Sequence, residues 1–353
     1  MNTATGHLTL KDIAELAQVS RPAVSNWRSR YKDFPEPVEE STPRKPLFDA
    51  GAVVAWLKQN DFFPEGAEDD LQLASLWATA NLLRNHLPVD EIPLVVLSLL
   101  ALDQDPTFEA PAEYDRIAGR LNKDTLEAVK RGIEGLRINS YAYAATQVVD
   151  RFLGVGSRGG RSQYGTSTSL SSAALVAAAS TSAKGTQIVL DPACGIAGTL
   201  LGVGSSVPKA ELLGAELNPS TAALARLLVH LTGRTATIHT GDSLLDDPFA
   251  DLQADVVVCE PPLAMRWPRE RISEMERTLG PLGRLQSDDV FLLYAAQHLS
   301  GEGRAYVLTS TGATYRPHFR EHRQRLTAQG QIEAVVDLPA GVFSATRIPA
   351  VLW

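Results

Sequence analysis

The sequence predicts an α/β, doubly wound domain in its second half, preceded by an all-α segment and a small N-terminal unit. Three observations carry this. From residue 187 onward, short apolar runs alternate with helical periodicity, and runs such as Val256-Val-Val258 are apolar on both faces, as in a parallel sheet. From 68 to 153 the periodicity is helical throughout. Between them Gly154 to Ser172 is rich in Gly and Ser and reads as a flexible linker.

In the first 62 residues, Leu10, Ile13, Leu16 and Ala17 share one helical face, and Val19-Ser20 makes a turn. Ser20 is the expected N-cap of a second helix, Arg21 to Arg30, with Pro22 in its first turn. A Pro/Glu-rich loop, the basic pair Arg44-Lys45, a strand-like Pro46-Leu-Phe48 and an apolar helix Ala50 to Lys58 follow. This resembles the winged helix-turn-helix of the MerR and excisionase type, which implies DNA as a partner. The second helix of such a unit reads base edges, so Arg21, Ser25, Asn26 and Arg28 are the expected readers. Arg44 and Lys45 are the expected wing contacts to phosphate. The plainer reading is a small helical domain with solvated charges that binds protein.

The helical segment falls into Leu71 to Leu87, Glu91 to Leu102, Tyr114 to Leu136 and Ile138 to Leu153, punctuated by prolines. After the 154–172 linker, strands are expected at Gln187 to Asp191, Glu211 to Glu216, Ala236 to Thr240, Asp255 to Cys259, Arg304 to Thr309, Ile332 to Asp337 and Ala350 to Trp353. Helices are expected at Pro219 to Leu231, Asp288 to Leu299 and His318 to Gln329. The domain spans 173–353 and ends within its last strand.

Composition narrows the function. The longest apolar run, Ile92 to Leu102, is shorter than the about 20 residues a bilayer requires, and no export signal opens the chain. A cytoplasmic protein with no membrane contact is expected. Two cysteines, Cys194 and Cys259, exclude a disulfide scaffold or a Cys-based zinc site, and no metal is expected. His318-Phe-Arg-Glu-His322 fits an inverted zinc-peptidase spacing, but no third ligand is evident and exposed helix charges explain it. The net charge of −8 arises largely in the helical segment, so the outer regions can still approach phosphates.

Four motifs stand at strand ends: Asp191-Pro-Ala-Cys-Gly-Ile-Ala-Gly198, Glu216, Gly241-Asp242-Ser243 and Glu260-Pro261-Pro262-Leu263. Glycines at the first crossover let the backbone turn and approach a ligand, and an acid about 25 positions on suits ribose hydroxyls. The spaced glycines of a nicotinamide-dinucleotide fingerprint and the Lys of an ATP loop are missing.

With Asp191-Pro-Ala-Cys-Gly195 and Gly198, the chain resembles the N-6 DNA methylase family, particularly the modification subunit of type I restriction systems. The resemblance implies a Rossmann-like, S-adenosylmethionine-dependent methyltransferase sheet. It assigns the cofactor to Asp191, Pro192, Ala193, Gly195, Gly198, Thr199, Glu216, Asp242 and Ser243, with Glu216 on the ribose and Asp242 on the adenine. It continues through Ser287-Asp-Asp-Val-Phe-Leu-Leu293, Gly303 to Leu308, Val335 to Phe343 and Ile348 to Leu352. The family's upstream aromatic-x-Thr-Pro segment is matched loosely by Tyr164-Gly-Thr-Ser-Thr-Ser169.

The departure lies at Glu260, Pro261, Pro262 and Leu263, where the family has Asn or Asp, two prolines, then Tyr or Phe. In that chemistry the side chain and a proline carbonyl accept hydrogen bonds from the amine of a flipped adenine, and the ring stacks on the base. Glu260 keeps an acceptor but is one methylene longer, and a displacement of about 1 Å costs on the order of 100-fold. Leu263 gives up stacking worth about 1 to 3 kcal/mol. Trp267 is either a replacement ring or a packing residue. Arg266 and the neighbouring arginines suit phosphate, or form a solvated helix with Glu270, Glu274 and Glu276.

The leading expectation is methyl transfer from S-adenosylmethionine to adenine N6 in DNA, impaired by the altered motif. A non-catalytic DNA-binding regulator is the alternative, and methylation of RNA or protein the third. Partners considered besides DNA are a second copy of the chain, reading an inverted repeat as a homodimer, and a separate specificity subunit.

Overall fold

The computed structural model describes residues 7–39, 41–42, 46–63, 68–136, 138–153, 170–181, 185, 188–263, 265–279, 281–343 and 348–353. The chain divides into two compact units, Met1–Val148 and Val149–Trp353.

In the first unit, strand β1 (His7–Thr9) pairs antiparallel with β2 (Leu47–Asp49), Leu8 opposite Phe48. Thr9 starts the helix Leu10–Leu16 with a reciprocal cap: its hydroxyl accepts from Asp12 N at 3.3 Å, and Asp12 Oδ2 accepts from Thr9 N at 2.7 Å. Helix Arg21–Arg30 follows a turn through Gln18, φ 52°. Ser20 occupies its N-cap position but makes no side-chain cap bond, contrary to expectation; Pro22 presets the first turn instead. Asp49 caps the helix Ala50–Gln59 by accepting from Ala52 N at 2.8 Å.

Leu8, Ile13, Val24, Phe48, Val53 and Leu57 form a core that also takes Ala74 and Ala78 from the helix Glu68–Asn81. Asn81 Nδ2 donates to His7 O at 3.2 Å and to Asp12 Oδ2 at 3.1 Å. The boundary expected between 62 and 68 therefore separates no cores. A unit of about 60 residues buries a smaller share of its surface than a larger domain does, and the next helix adds apolar surface through Ala74 and Ala78. The run from Tyr114 to Leu136 is two helices, Ala112–Ala118 and Lys123–Glu134, because Asn122 caps the second by accepting from Thr125 N at 2.8 Å. The longest apolar run is the buried helix Ile92–Gln104.

In the second unit the helix Leu170–Ser180 begins inside the expected linker, with Ser171 and Ser172 buried. The rest of that stretch, 154–169, lies outside the described residues, and with it the Tyr164 to Ser169 match. Seven strands follow: β3 (Ile188–Asp191), β4 (Glu211–Glu216), β5 (Thr237–Thr240), β6 (Ala254–Cys259), β7 (Leu299–Ser310), β8 (Val336–Leu338) and β9 (Ala350–Leu352). They form one sheet in the order β5-β4-β3-β6-β7-β9-β8. The first five are parallel, and β9 inserts antiparallel between β7 and β8. Strand residues alternate between two cores: Leu190, Val257 and Cys259 face the helix Ser287–Gln297, whereas Val189, Val256 and Val258 face the helices Gly198–Ser206 and Pro219–Leu231. Burial on both faces explains the unbroken Val run.

Candidate active site

Successive strands run outward in opposite directions from β3 and β6, β4 and β5 on one side and β7 on the other. Diverging crossovers open a crevice at the C-terminal ends of β3 and β6. Asp191 ends β3, and Glu260 follows the last residue of β6.

The loop after β3 turns through Gly195, φ 55°, and Ala197, φ 64°, into the helix that Gly198 begins. Its position is fixed from both sides. Cys194 N donates to Ala215 O at 2.9 Å, and Ser243 Oγ donates to Pro192 O at 2.8 Å. Gly214 permits the approach, since a Cβ there would stand 2.9 Å from Cys194 Sγ and 3.0 Å from Ile238 Cδ1. Ser243 thus shapes the loop. Thr199 is buried and its hydroxyl donates to Ser172 Oγ at 2.9 Å, so that group serves the packing of two helices.

Three carboxylates meet in the crevice. Asp191 is 2% exposed; burial, reinforced by Glu260 and Glu216 and opposed by the Ala193 N–H, pushes its carboxyl up to about 8. Burial also raises Glu216, opposed by backbone N–H groups of Asn218 (2.7 Å), Gly195 and Leu217. Glu260 is raised by burial, opposed by a hydrogen bond from the Ser171 hydroxyl, and its Oε2 has no hydrogen-bond partner among the described residues. A desolvated acidic cradle with an unused acceptor favours a cationic ligand. Beyond β5, Asp242 Oδ1 accepts from Leu244 N at 3.1 Å, and its Oδ2 pairs with Arg271 of the helix Arg269–Leu279.

The loop after β6 is committed to the protein's own interior. Pro261 is buried, and the Pro262 carbonyl accepts from the Ser287 hydroxyl. Ser287 also accepts from Met265 N at 2.9 Å, while its own N–H donates to Met265 O at 3.0 Å. Leu263 packs against the cluster of Leu175, Leu308, Val342, Phe343 and Ala350. Trp267 packs on the core beneath the Arg271 guanidinium, 5.5 Å from its ring centre, which favours its packing role; Arg266 is exposed. Next to Ser287, buried Asp288 accepts from Ser310 N at 3.0 Å and from Arg316 Nη2 at 3.1 Å; Arg316 also pairs with buried Asp289. This network ties the end of β7 to the motif loop. Ser171, Ser287, Arg271 and Arg316 carried no individual signal in the sequence, although Ser287-Asp-Asp stood in a motif and Arg271 in a run of arginines.

Elsewhere, Arg21, Ser25, Asn26 and Arg28 all lie on the exposed face of the helix Arg21–Arg30, of which only Val24 is buried. Arg44 and Lys45 lie outside the described residues. Cys194 and Cys259 are free, buried thiols that burial pushes up, with Asp191 adding to the effect. His322 stacks on Phe319 while His318 is exposed, and among the described residues no His, Cys, Asp and Glu group is placed to hold a metal. No helix among them is long and apolar enough to cross a membrane.

The chain is similar in fold to solved S-adenosylmethionine-dependent methyltransferases. It is similar to a putative class I member from Listeria monocytogenes, with a TM-score of 0.60 and 17% identity, covering 80% of this chain and 85% of that one. It is similar also to the type I restriction-modification methyltransferase subunit of Streptococcus thermophilus, with a TM-score of 0.56 and 20% identity over 97% of this chain and 75% of that one. Residues 156–353, more than half of the sequence, match the N-6 DNA methylase family model, and the chain belongs to that family. Its cofactor is S-adenosylmethionine.

Two relatives from Methanocaldococcus jannaschii are type I restriction enzyme methylase subunits. MjaIX is 24% identical over 183 residues, 47% of this chain and 32% of its own length. MjaVIII is 28% identical over 193 residues, 48% and 32%. The chain spans about a third of the length of the curated relatives it matches.

Proposed function

We propose that this chain methylates adenine N6 in DNA, with Asp191, Glu216 and Asp242 holding the cofactor and Glu260 and the Pro261 carbonyl orienting the base. The observation that carries it is the cluster of Asp191, Glu216 and Glu260, three carboxyls raised by burial at neighbouring strand ends, with Glu260 and Glu216 both acting on Asp191. S-adenosylmethionine, when bound, brings a cationic sulfur and the methyl group it activates. The ionised carboxylates stabilise that positive charge, and Pro192, Ala193, Gly195 and Gly198 give the backbone close approach to it. Ser243 and Thr199 support the loop through Pro192 and Ser172.

Glu260 Oε2 is the free acceptor for the adenine amine. Transfer would form the N–C bond as the donor's S–CH3 bond breaks, leaving a neutral thioether, and the amine's proton would pass to Glu260, whose carboxyl burial holds above its usual range. Leu263, packed on the cluster of Leu175, Val342 and Phe343, supplies no stacked ring. This leaves the reaction slower than an Asn-led motif would run it.

The N-terminal unit serves as a winged helix-turn-helix. Arg21, Ser25, Asn26 and Arg28 are presented toward the major groove, and the basic types of Arg44 and Lys45 suit phosphate. A separate specificity subunit fits the type I relatives, and a homodimer would present two reading helices to an inverted repeat.

Transfer of radiolabelled methyl from S-adenosylmethionine to plasmid DNA, RNA and protein tests the reaction. Label is expected in DNA, lost in Glu260→Ala. A chain that binds the cofactor yet leaves all three unlabelled is instead a non-catalytic DNA-binding regulator, a reading favoured by the burial of Leu263 against Phe343 and its neighbours.

A further inference from the structure

Both oxygens of Asp242 are occupied within the chain. Oδ1 holds the Leu244 N–H, which fixes the turn after β5, and Oδ2 pairs with Arg271. An acid that is to accept hydrogen bonds from the cofactor's adenine therefore shares its Oδ2 with the Arg271 cation, although that oxygen takes no hydrogen bond. The side chains of Asp242 and Arg271 are 15% and 27% exposed, although the paired oxygen is itself buried, and a ligand that brings its own donors to Asp242 competes with the guanidinium for it.

Arg271 sits in the first turn of its helix, where a cation is disfavoured by the helix dipole, so helix formation alone does not place it there. Its guanidinium also covers the Trp267 ring, at the end of the segment that begins with Glu260. The same side chain joins the cofactor acid to the base loop. Fully buried Met275 anchors the far half of the helix, while Ser287 pins the loop at Pro262 and Met265. Between those anchors the stretch rests on the core through the partly buried Trp267 and Ile272.

We infer that Arg271 is a latch on the cofactor pocket: it holds Asp242 in the free protein and yields it to S-adenosylmethionine, releasing the segment that carries Trp267. This rests on the cofactor reading above. Cofactor occupancy is then transmitted to the loop that meets the base, and the loop stays closed until the methyl donor is present. The direction of the effect is what distinguishes the latch. A residue that merely shapes the pocket loses affinity when removed, whereas a competitor for Asp242 gains it.

Isothermal titration calorimetry with S-adenosylmethionine on the full chain provides the test. Arg271→Ala is expected to tighten binding about two- to tenfold, and Arg271→Lys to fall between it and wild type. Tryptophan emission is expected to change on cofactor addition in wild type and to change much less in Trp267→Phe. Unchanged or weaker binding by a folded Arg271→Ala overturns the latch while leaving the cofactor site standing. Should wild type, Arg271→Ala and Arg271→Lys all fail to bind, the cofactor reading falls and the latch with it.

Discussion

The two halves of the crevice are built differently. On the β3, β4 and β5 side, side chains hold the backbone, Ser243 bracing Pro192 and Gly214 admitting Cys194, and the buried acids Asp191 and Glu216 accept from backbone N–H groups of the loops they end. On the β6 and β7 side the corresponding groups are consumed inward. Leu263 fills a hydrophobic cluster, the Pro262 carbonyl takes the Ser287 hydroxyl, and Trp267 lies under Arg271. One half is arranged around a ligand and the other mostly around the fold, so binding of the methyl donor is the more robust property and base handling the more easily lost.

The base half breaks most readily through its buried charges. Arg316→Met leaves Asp288 and Asp289 without their cation and is expected to cost about 3–5 kcal/mol in urea unfolding. A loss under 1 kcal/mol would detach that network from the stability of the domain. Glu260→Asn with Leu263→Phe sharpens the comparison in the other direction. Methyl transfer to DNA should rise on the order of 100-fold at saturating cofactor, with cofactor affinity lowered by the loss of one carboxylate; a flat response would locate the limit elsewhere.

In the cofactor half, Glu216→Gln should weaken S-adenosylmethionine about tenfold, read by calorimetry, since a charge-assisted hydrogen bond is exchanged for a neutral one. The smallest effect is on pH. Asp191 titrates near 8 in the free protein against 3.8 as its ordinary value, so its carboxyl is neutral at pH 6 and ionised at pH 9. Affinity for the cationic cofactor should climb across that window, and Asp191→Asn should flatten the climb. Stability runs the opposite way. With the folded carboxyl raised, its contribution is fully present below about 4 and is lost as pH rises through 8, so the free protein should melt at lower temperature at pH 9 than at pH 6, less so in Asp191→Asn.

Much of the frame was legible because it is local. Pro219 to Leu231 is helical between the limits expected, with Asn218 accepting from Ser220 N and Thr221 N, and the Val256 to Val258 run lies between two helical layers. The acids at the ends of β3, β4 and β6 were found as acids at strand ends. Less legible were elements whose sequences carry no strong local preference. The helix Gly198–Ser206 holds Gly198, Gly202 and Gly204, yet close contact with Val176 and Leu212 selects the conformation that propensity disfavours.

By itself, then, the sequence determined the strand-and-helix alternation, the order of the motifs and the chemical types at their ends, since period and turn chemistry act over a few residues. Tertiary structure decided which of those groups stay available. Ser171 meets Glu260, Ser287 meets Pro262, and Arg271 meets Asp242 only because the sheet order brings separate crossovers to one edge. A side chain's type is written in the chain, but its partner is set by packing between segments far apart along it, and that partner decides whether an acid can still bind a ligand.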